Sequence, residues 1–167
     1  MKNLVTLVAL SVVCAALIPA TAVAENGPVS GSFTVTYTGD VRPALCDPNN
    51  SVYIEAHGIG NGTGALGTMF LTIRKCYNYF EGTYAGSFTL SSSDSRDTVT
   101  GTYAGSDDAY SGEFPNKFFP FHGVLTATEG TGKFRGAKGS VNFTAIAAAS
   151  DGANGIAYYA IDANVHN

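Results

Sequence analysis

Glu55 and His57 are the residues whose spacing most invites chemistry. Two positions apart in an alternating stretch, they share one strand face, as a carboxylate and an imidazole exchanging a proton would need to. The same alternation turns them away from Val52 and Ile54, so if those apolar side chains line a core, the pair lies on the solvated surface. His122 likewise opposes Phe121, and His166 belongs to the tail. Asp94, Asp97, Asp107 and Asp108 offer oxygen ligands, but none falls in the Asp-x-Asp-x-Asp-Gly spacing of a calcium loop, so they read as turn residues. His57-Gly58-Ile59-Gly60-Asn61-Gly62-Thr63-Gly64 resembles a phosphate cradle in its glycines alone. It lacks the Lys-Ser/Thr ending and a following helix, and is expected to be a flexible strand connection. There is no Gly-x-Ser-x-Gly elbow. No catalytic residue, metal site or cofactor is assigned from these residues.

The cysteines point to a compartment. Lys2, an apolar run from Leu4 to Ile18, and the small-x-small triplet Ala22-Val23-Ala24 make residues 1–24 a signal peptide, with the mature domain at 25–167. The run is short for a membrane span and Pro19 interrupts it. Cys14 follows Val13 within the apolar run, which argues against a lipoprotein anchor. Cys46 and Cys76 then remain, and an even pair in an exported domain reads as a disulfide closing a loop of about 30 residues. The protein is expected to be secreted, extracellular or periplasmic. Asn49, Asn61 and Asn142 each begin an N-glycosylation acceptor pattern, usable in a eukaryotic source.

Charge narrows the partners. Nine Lys and Arg face 13 Asp and Glu, and loss of Lys2 makes the mature part more acidic still. With no basic cluster to displace counterions, nucleic-acid binding is not expected. No later segment has membrane length, so no membrane partner is expected after cleavage.

The elements that must position any site are strands. Val, Ile, Thr, Tyr and Phe recur in short runs among 20 glycines. Phe33, Val35 and Tyr37 alternate with Thr34, Thr36 and Thr38, and a second run at 51–57 sets Val52, Ile54 and Ala56 against Tyr53, Glu55 and His57. A third at 67–75 sets Met69, Leu71 and Ile73 against Phe70, Thr72 and Arg74. Gly82-Thr83-Tyr84-Ala85-Gly86 recurs as Gly101-Thr102-Tyr103-Ala104-Gly105, which predicts a hairpin with strands near 82–91 and 97–104. Further strands are expected at 119–128, 139–147 and 155–165, the last including Tyr159, Ile161 and Val165. Eight strands with mostly short turns predict an eight-stranded antiparallel β-barrel, or alternatively a β-sandwich. The loop 105–118 is the candidate gate of any cavity.

Between two of these strands lies Gly130-Thr131-Gly132-Lys133-Phe134-Arg135-Gly136-Ala137-Lys138-Gly139. Gly130, Gly132, Gly136 and Gly139 permit tight backbone paths, and Phe134 can anchor the turn beneath its ring, so the segment reads as a barrel corner. It resembles the GTGxFxGAxG signature of the dirigent and allene oxide cyclase-like β-barrels. That resemblance implies an apolar cavity. The functional residues of those proteins lie on other strands and find no motif here onto which to be carried.

Three functions are therefore weighed. The first is a secreted binding or structural module whose inward Phe, Tyr, Ile and Val fill the barrel or hold a small apolar or aromatic ligand. The second is a cofactor-free cyclase or dirigent-like enzyme, which requires a wide cavity with an inward carboxylate, Tyr or His. The third is an interaction protein displaying Tyr110, Phe114, Phe118 and Phe119 as one patch. Oligomerisation is compatible with all three.

Overall fold

A computed structural model describes residues 28–63, 66–108, 117–149 and 154–164. The expected signal peptide, His166 and Val165, and Tyr110 and Phe114 of the expected patch and gate, lie outside the described residues.

Eight strands follow in order: β1 Pro28–Asp40, β2 Ser51–Gly62, β3 Gly67–Asn78, β4 Thr83–Ser91, β5 Thr98–Asp107, β6 Lys117–Gly130, β7 Gly139–Ala149 and β8 Asn154–Asn164. Each pairs antiparallel with its neighbour in sequence, and β8 returns to β1 with Phe33 opposite Tyr159, closing the barrel. Closure pairs every edge, which a sandwich would leave open. The only helical element among the described residues is the short 3-10 turn Gly132–Phe134.

Alternation decides what enters the barrel. Phe33, Val35, Met69, Leu71, Ile73, Phe88, Leu90, Val99, Leu125, Phe143 and Ile161 are buried on the inner face. The stretch 57–62 is not a connection, as the sequence reading expected, but the second half of β2. Gly58 and Gly60 leave room there for the inward side chains of β1. A methyl group on Gly58 would collide with the Thr34 carbonyl and Val35, and one on Gly60 with the Phe33 ring. What looked like a phosphate cradle is a strand thinned to admit two core side chains.

The repeated Gly-Thr-Tyr-Ala-Gly phrase forms an antisymmetric pair. Register places Tyr84 opposite Gly105, Ala85 opposite Ala104, and Gly86 opposite Tyr103. Each tyrosine thus stands beside a strand position without a side chain, and the two rings stack inside the barrel at 5.1 Å between centroids.

The two ends of the barrel differ. At one, buried Leu66 from the β2–β3 turn and half-buried Phe134 pack onto the core. Here the 130–139 segment acts as the expected corner. Gly132 and Gly136 adopt φ of 57° and 83°, which the left-handed region permits readily only for glycine. Asp97 accepts a hydrogen bond from the Lys133 backbone N–H at 3.0 Å, and the Thr131 hydroxyl donates to the Arg96 carbonyl at 2.9 Å, tying the corner to the β4–β5 turn. This end is closed. Among the described residues the other end is open.

Candidate functional site

The open end gathers the last residues of the odd strands and the first residues of the even ones. Between them lies a cavity of about 330 Å³, walled by Val52, Ile54 and Ala56 of β2, Phe119 and Phe121 of β6, Ala147 of β7, and Ala157 and Tyr159 of β8. The polar groups reaching it include Lys75, Tyr77 and Asp107.

Lys75 is in phase with Met69, Leu71 and Ile73, so the same alternation that fills the core drives a cation inward. It is only 9% exposed, and is the one charged side chain among the buried described residues. Its Nζ stands 4.0 Å from the centroid of the Tyr84 ring, 4.9 Å from that of Phe121 and 5.4 Å from that of Tyr103. Ring faces, negative at their centres, partly replace the lost hydration. No described side chain accepts a hydrogen bond from Nζ, and no fully sealed side-chain nitrogen or oxygen lacks a partner, so this ammonium touches the open volume of the cavity. Burial pushes its pKa down from 10.5 to about 8, a fall moderated by the negative charge of Asp107.

Asp107 closes β5, again on the inward phase, and accepts a hydrogen bond from the Tyr77 hydroxyl at 2.5 Å. Burial raises the Asp107 carboxyl above its ordinary range, against the opposing pull of Tyr77 and Lys75. Burial, followed by the contact with Asp107, raises Tyr77. Beneath them, Tyr103 and Tyr159 share a hydroxyl contact at 3.1 Å, and Tyr84 donates to the His122 carbonyl at 2.6 Å. Burial raises all three of these phenols, so they stay neutral donors through the physiological range.

The rim is fixed by sulfur. Cys46 in the β1–β2 loop and Cys76 on the outer face of β3 are at bonding distance with Cα atoms 5.6 Å apart. Cys76 stands between Lys75 and Tyr77, so the link pins the backbone from which both side chains enter the cavity. Arg42 of the same loop covers the Tyr53 ring at 4.8 Å, which explains why Tyr53 is buried on the outer face. A paired cysteine link is compatible with an oxidising, extracellular setting.

The residues first considered for chemistry lie elsewhere. Glu55 and His57 do meet, at 3.3 Å, but on the outer wall, where Arg74 binds the same carboxylate oxygen at 2.9 Å and lowers the Glu55 pKa. His122 is exposed and pairs with Asp108 at 3.1 Å. Asp94 accepts from the Ser92 hydroxyl at 2.7 Å in the β4–β5 turn. The four aspartates are therefore split between the two barrel ends, and among the described residues no group of three or more His, Cys, Asp or Glu is placed to hold a metal ion. Phe118 faces outward and Phe119 lines the cavity, so these two do not share a surface. Among the described residues no helix is long and apolar enough to cross a membrane.

The sequence pattern does not reveal Lys75 and Tyr77, because the third alternating run ends at residue 75 and its apolar face at Ile73. Extending the alternation by two steps reaches both. No protein-family model, curated protein or solved structure matches this chain.

Proposed function

We propose that this protein is an exported binding barrel that takes a small molecule with an apolar or aromatic body into its open end and holds the molecule's anionic or carbonyl head against Lys75. The observation that carries the reading is a buried ammonium with no carboxylate or carbonyl hydrogen-bond acceptor among the described residues, facing a largely apolar cavity. An uncompensated buried cation is costly, on the order of several kcal/mol. An anionic head group would supply what the rings and the more distant Asp107 supply only in part, while Ile54, Phe119, Phe121 and Ala157 exclude water from its body. The likeness of residues 130–139 to the dirigent and allene oxide cyclase-like signature supports a cavity-bearing barrel in the same direction.

Calorimetric titration with para-dimethylaminobenzoate, an aromatic carboxylate of suitable size, tests this. One ligand per barrel is expected, and Lys75→Met should weaken binding about tenfold or more, equivalent to roughly 1.4 kcal/mol. Absence of binding, or equal binding by the variant, contradicts the proposal.

A second reading, a cofactor-free enzyme shaping a reactive intermediate, is favoured by one observation: the Tyr77–Asp107 pair places a proton donor and a carboxyl on the cavity wall. It requires turnover that Tyr77→Phe abolishes while ligand binding persists.

A further inference from the structure

We infer that Lys75 is a covalent capture site for aldehydes, condensing with an aromatic or apolar aldehyde in the cavity to form an imine. The inference rests on the binding reading above, but asks more of the same site: a nucleophilic nitrogen, space for the electrophile, and a means of moving protons.

Each is on the wall. Lys75 Nζ opens onto the cavity with no hydrogen-bond partner, donor or acceptor, among the described side chains, so its lone pair, once free, is not taken up by a neighbouring donor. Hydration and ion pairing keep surface amines protonated and slow to react, whereas burial among Tyr84, Tyr103 and Phe121 removes that support. The lowered pKa agrees in direction, since an amine titrating near 8 offers roughly 300-fold more neutral form at neutral pH than one at its ordinary value. The rings that lie against the ammonium would also lie against a protonated imine, whose charge is the same.

The chemistry balances without an oxidant or reductant. The neutral amine attacks the carbonyl carbon, a C–N bond forms, and the C=O π pair moves to oxygen. A proton passes from nitrogen to that oxygen to give a carbinolamine. The oxygen then takes a second proton and leaves as water while the nitrogen lone pair completes C=N. The product is a protonated imine, and the net reaction consumes one aldehyde, one neutral amine and one proton. The Asp107 carboxyl and the Tyr77 hydroxyl, hydrogen-bonded to each other on the same cavity, are the groups placed to relay the second proton. The titratable groups that line the cavity with Lys75 or pack beneath it are Asp107, Tyr37, Tyr77, Tyr79, Tyr84, Tyr103 and Tyr159. Burial keeps Tyr77, Tyr84, Tyr103 and Tyr159 neutral in the range where Lys75 titrates.

The test uses the full mature protein with para-dimethylaminobenzaldehyde and cyanoborohydride, which reduces only the imine. Intact mass should rise by one aldehyde less one oxygen atom, and peptide mapping should place the adduct on Lys75, formed about tenfold or more faster than on exposed Lys133 or Lys138. Lys75→Met should lose this adduct. Should that variant fail to fold, excess para-dimethylaminobenzoate added to the unaltered protein must protect Lys75 from labelling. Labelling spread over Lys133, Lys138 and the amino terminus, or labelling of Lys75 that the benzoate does not slow, overturns the inference. If the benzoate binds but the aldehyde spares Lys75, covalent capture fails and the binding reading stands. If neither engages the barrel, both fail.

Discussion

The ammonium of Lys75 lies 4.0 Å from the centroid of the Tyr84 ring, a cation held over an aromatic face inside a barrel whose other buried described side chains carry no charge. A cation–π contact of this kind stabilises by about 0.5 to 2 kcal/mol, less than the cost of withdrawing an ammonium from water. Lys75 is thus a net burden on the fold, and its replacement should reveal this. Lys75→Met keeps the length of the stem and removes the charge. It is expected to raise the melting temperature at neutral pH, by an amount corresponding to about 1 to 3 kcal/mol. A variant that melts lower by calorimetry would mean that Lys75 is a structural residue.

Stability should depend on pH in a way that identifies the same group. In the folded protein Lys75 releases its proton near pH 8, in the unfolded chain near 10.5. Below 8 both states hold the proton and the burial cost is constant. Between those values the unfolded chain holds more protons, so stability rises with pH, by at most about 3 kcal/mol. Burial raises Tyr77, Tyr84, Tyr103 and Tyr159, so from about pH 10 the unfolded chain loses phenolic protons that the folded protein keeps, and stability falls again. Urea midpoints should therefore climb from pH 8 towards 10 and then decline, and the climb should vanish in Lys75→Met. A midpoint falling steadily from pH 8 in the unaltered protein contradicts the assignment.

Asp107 moderates the lysine, and the sign of its effect is fixed by charge. Removing the negative charge with Asp107→Asn should lower the Lys75 pKa further, because nothing else named on the cavity wall favours the ammonium electrostatically to the same degree. Titration of the lysine side-chain carbons by NMR reads this directly. An unchanged or raised Lys75 pKa would contradict this coupling.

How far the sequence revealed this arrangement differs along the chain. The alternation of Phe33, Val35 and Tyr37, and of Met69, Leu71 and Ile73, carried the barrel because burial on one face leaves a period of two that charge and glycine do not obscure. The corner at Gly130–Gly139 was legible for the same reason that it works: glycine adopts the left-handed backbone at Gly132 and Gly136 most readily. The site was less legible. Lys75 and Asp107 are polar residues at inward positions, and an inward polar residue looks, in sequence, like the place where a strand stops. The glycines of β2 misled in the opposite sense, since Gly58 and Gly60 mark where the Val35 and Phe33 side chains approach, not where a loop begins.

The repeated Gly-Thr-Tyr-Ala-Gly pairing gives a packing prediction. A methyl group at Gly105 would collide with the Tyr84 ring and the His122 carbonyl, displacing the aromatic face on which Lys75 rests. Gly105→Ala should cost about 1 to 3 kcal/mol in urea unfolding and shift the near-ultraviolet tyrosine circular dichroism. Unchanged stability and spectrum would mean that the pairing is looser than the register implies.

The link between Cys46 and Cys76 closes a separation of 30 residues, and in the chain-entropy model its loss costs about 3 to 4 kcal/mol. Because Cys76 lies between Lys75 and Tyr77, the Cys46→Ser, Cys76→Ser double variant should also weaken binding of para-dimethylaminobenzoate under conditions where it remains folded. Loss of stability with unchanged affinity would confine the link to a structural role.

The most direct test watches the lysine while the cavity fills. In protein labelled at its lysine side chains, NMR titration with and without para-dimethylaminobenzoate should show the Lys75 pKa rising on binding, since the anion supplies the counter-charge that burial removed, while Lys133 and Lys138 stay unmoved. A ligand that binds the barrel and leaves the Lys75 titration where it was, or one that shifts the surface lysines instead, would contradict a site built around this residue.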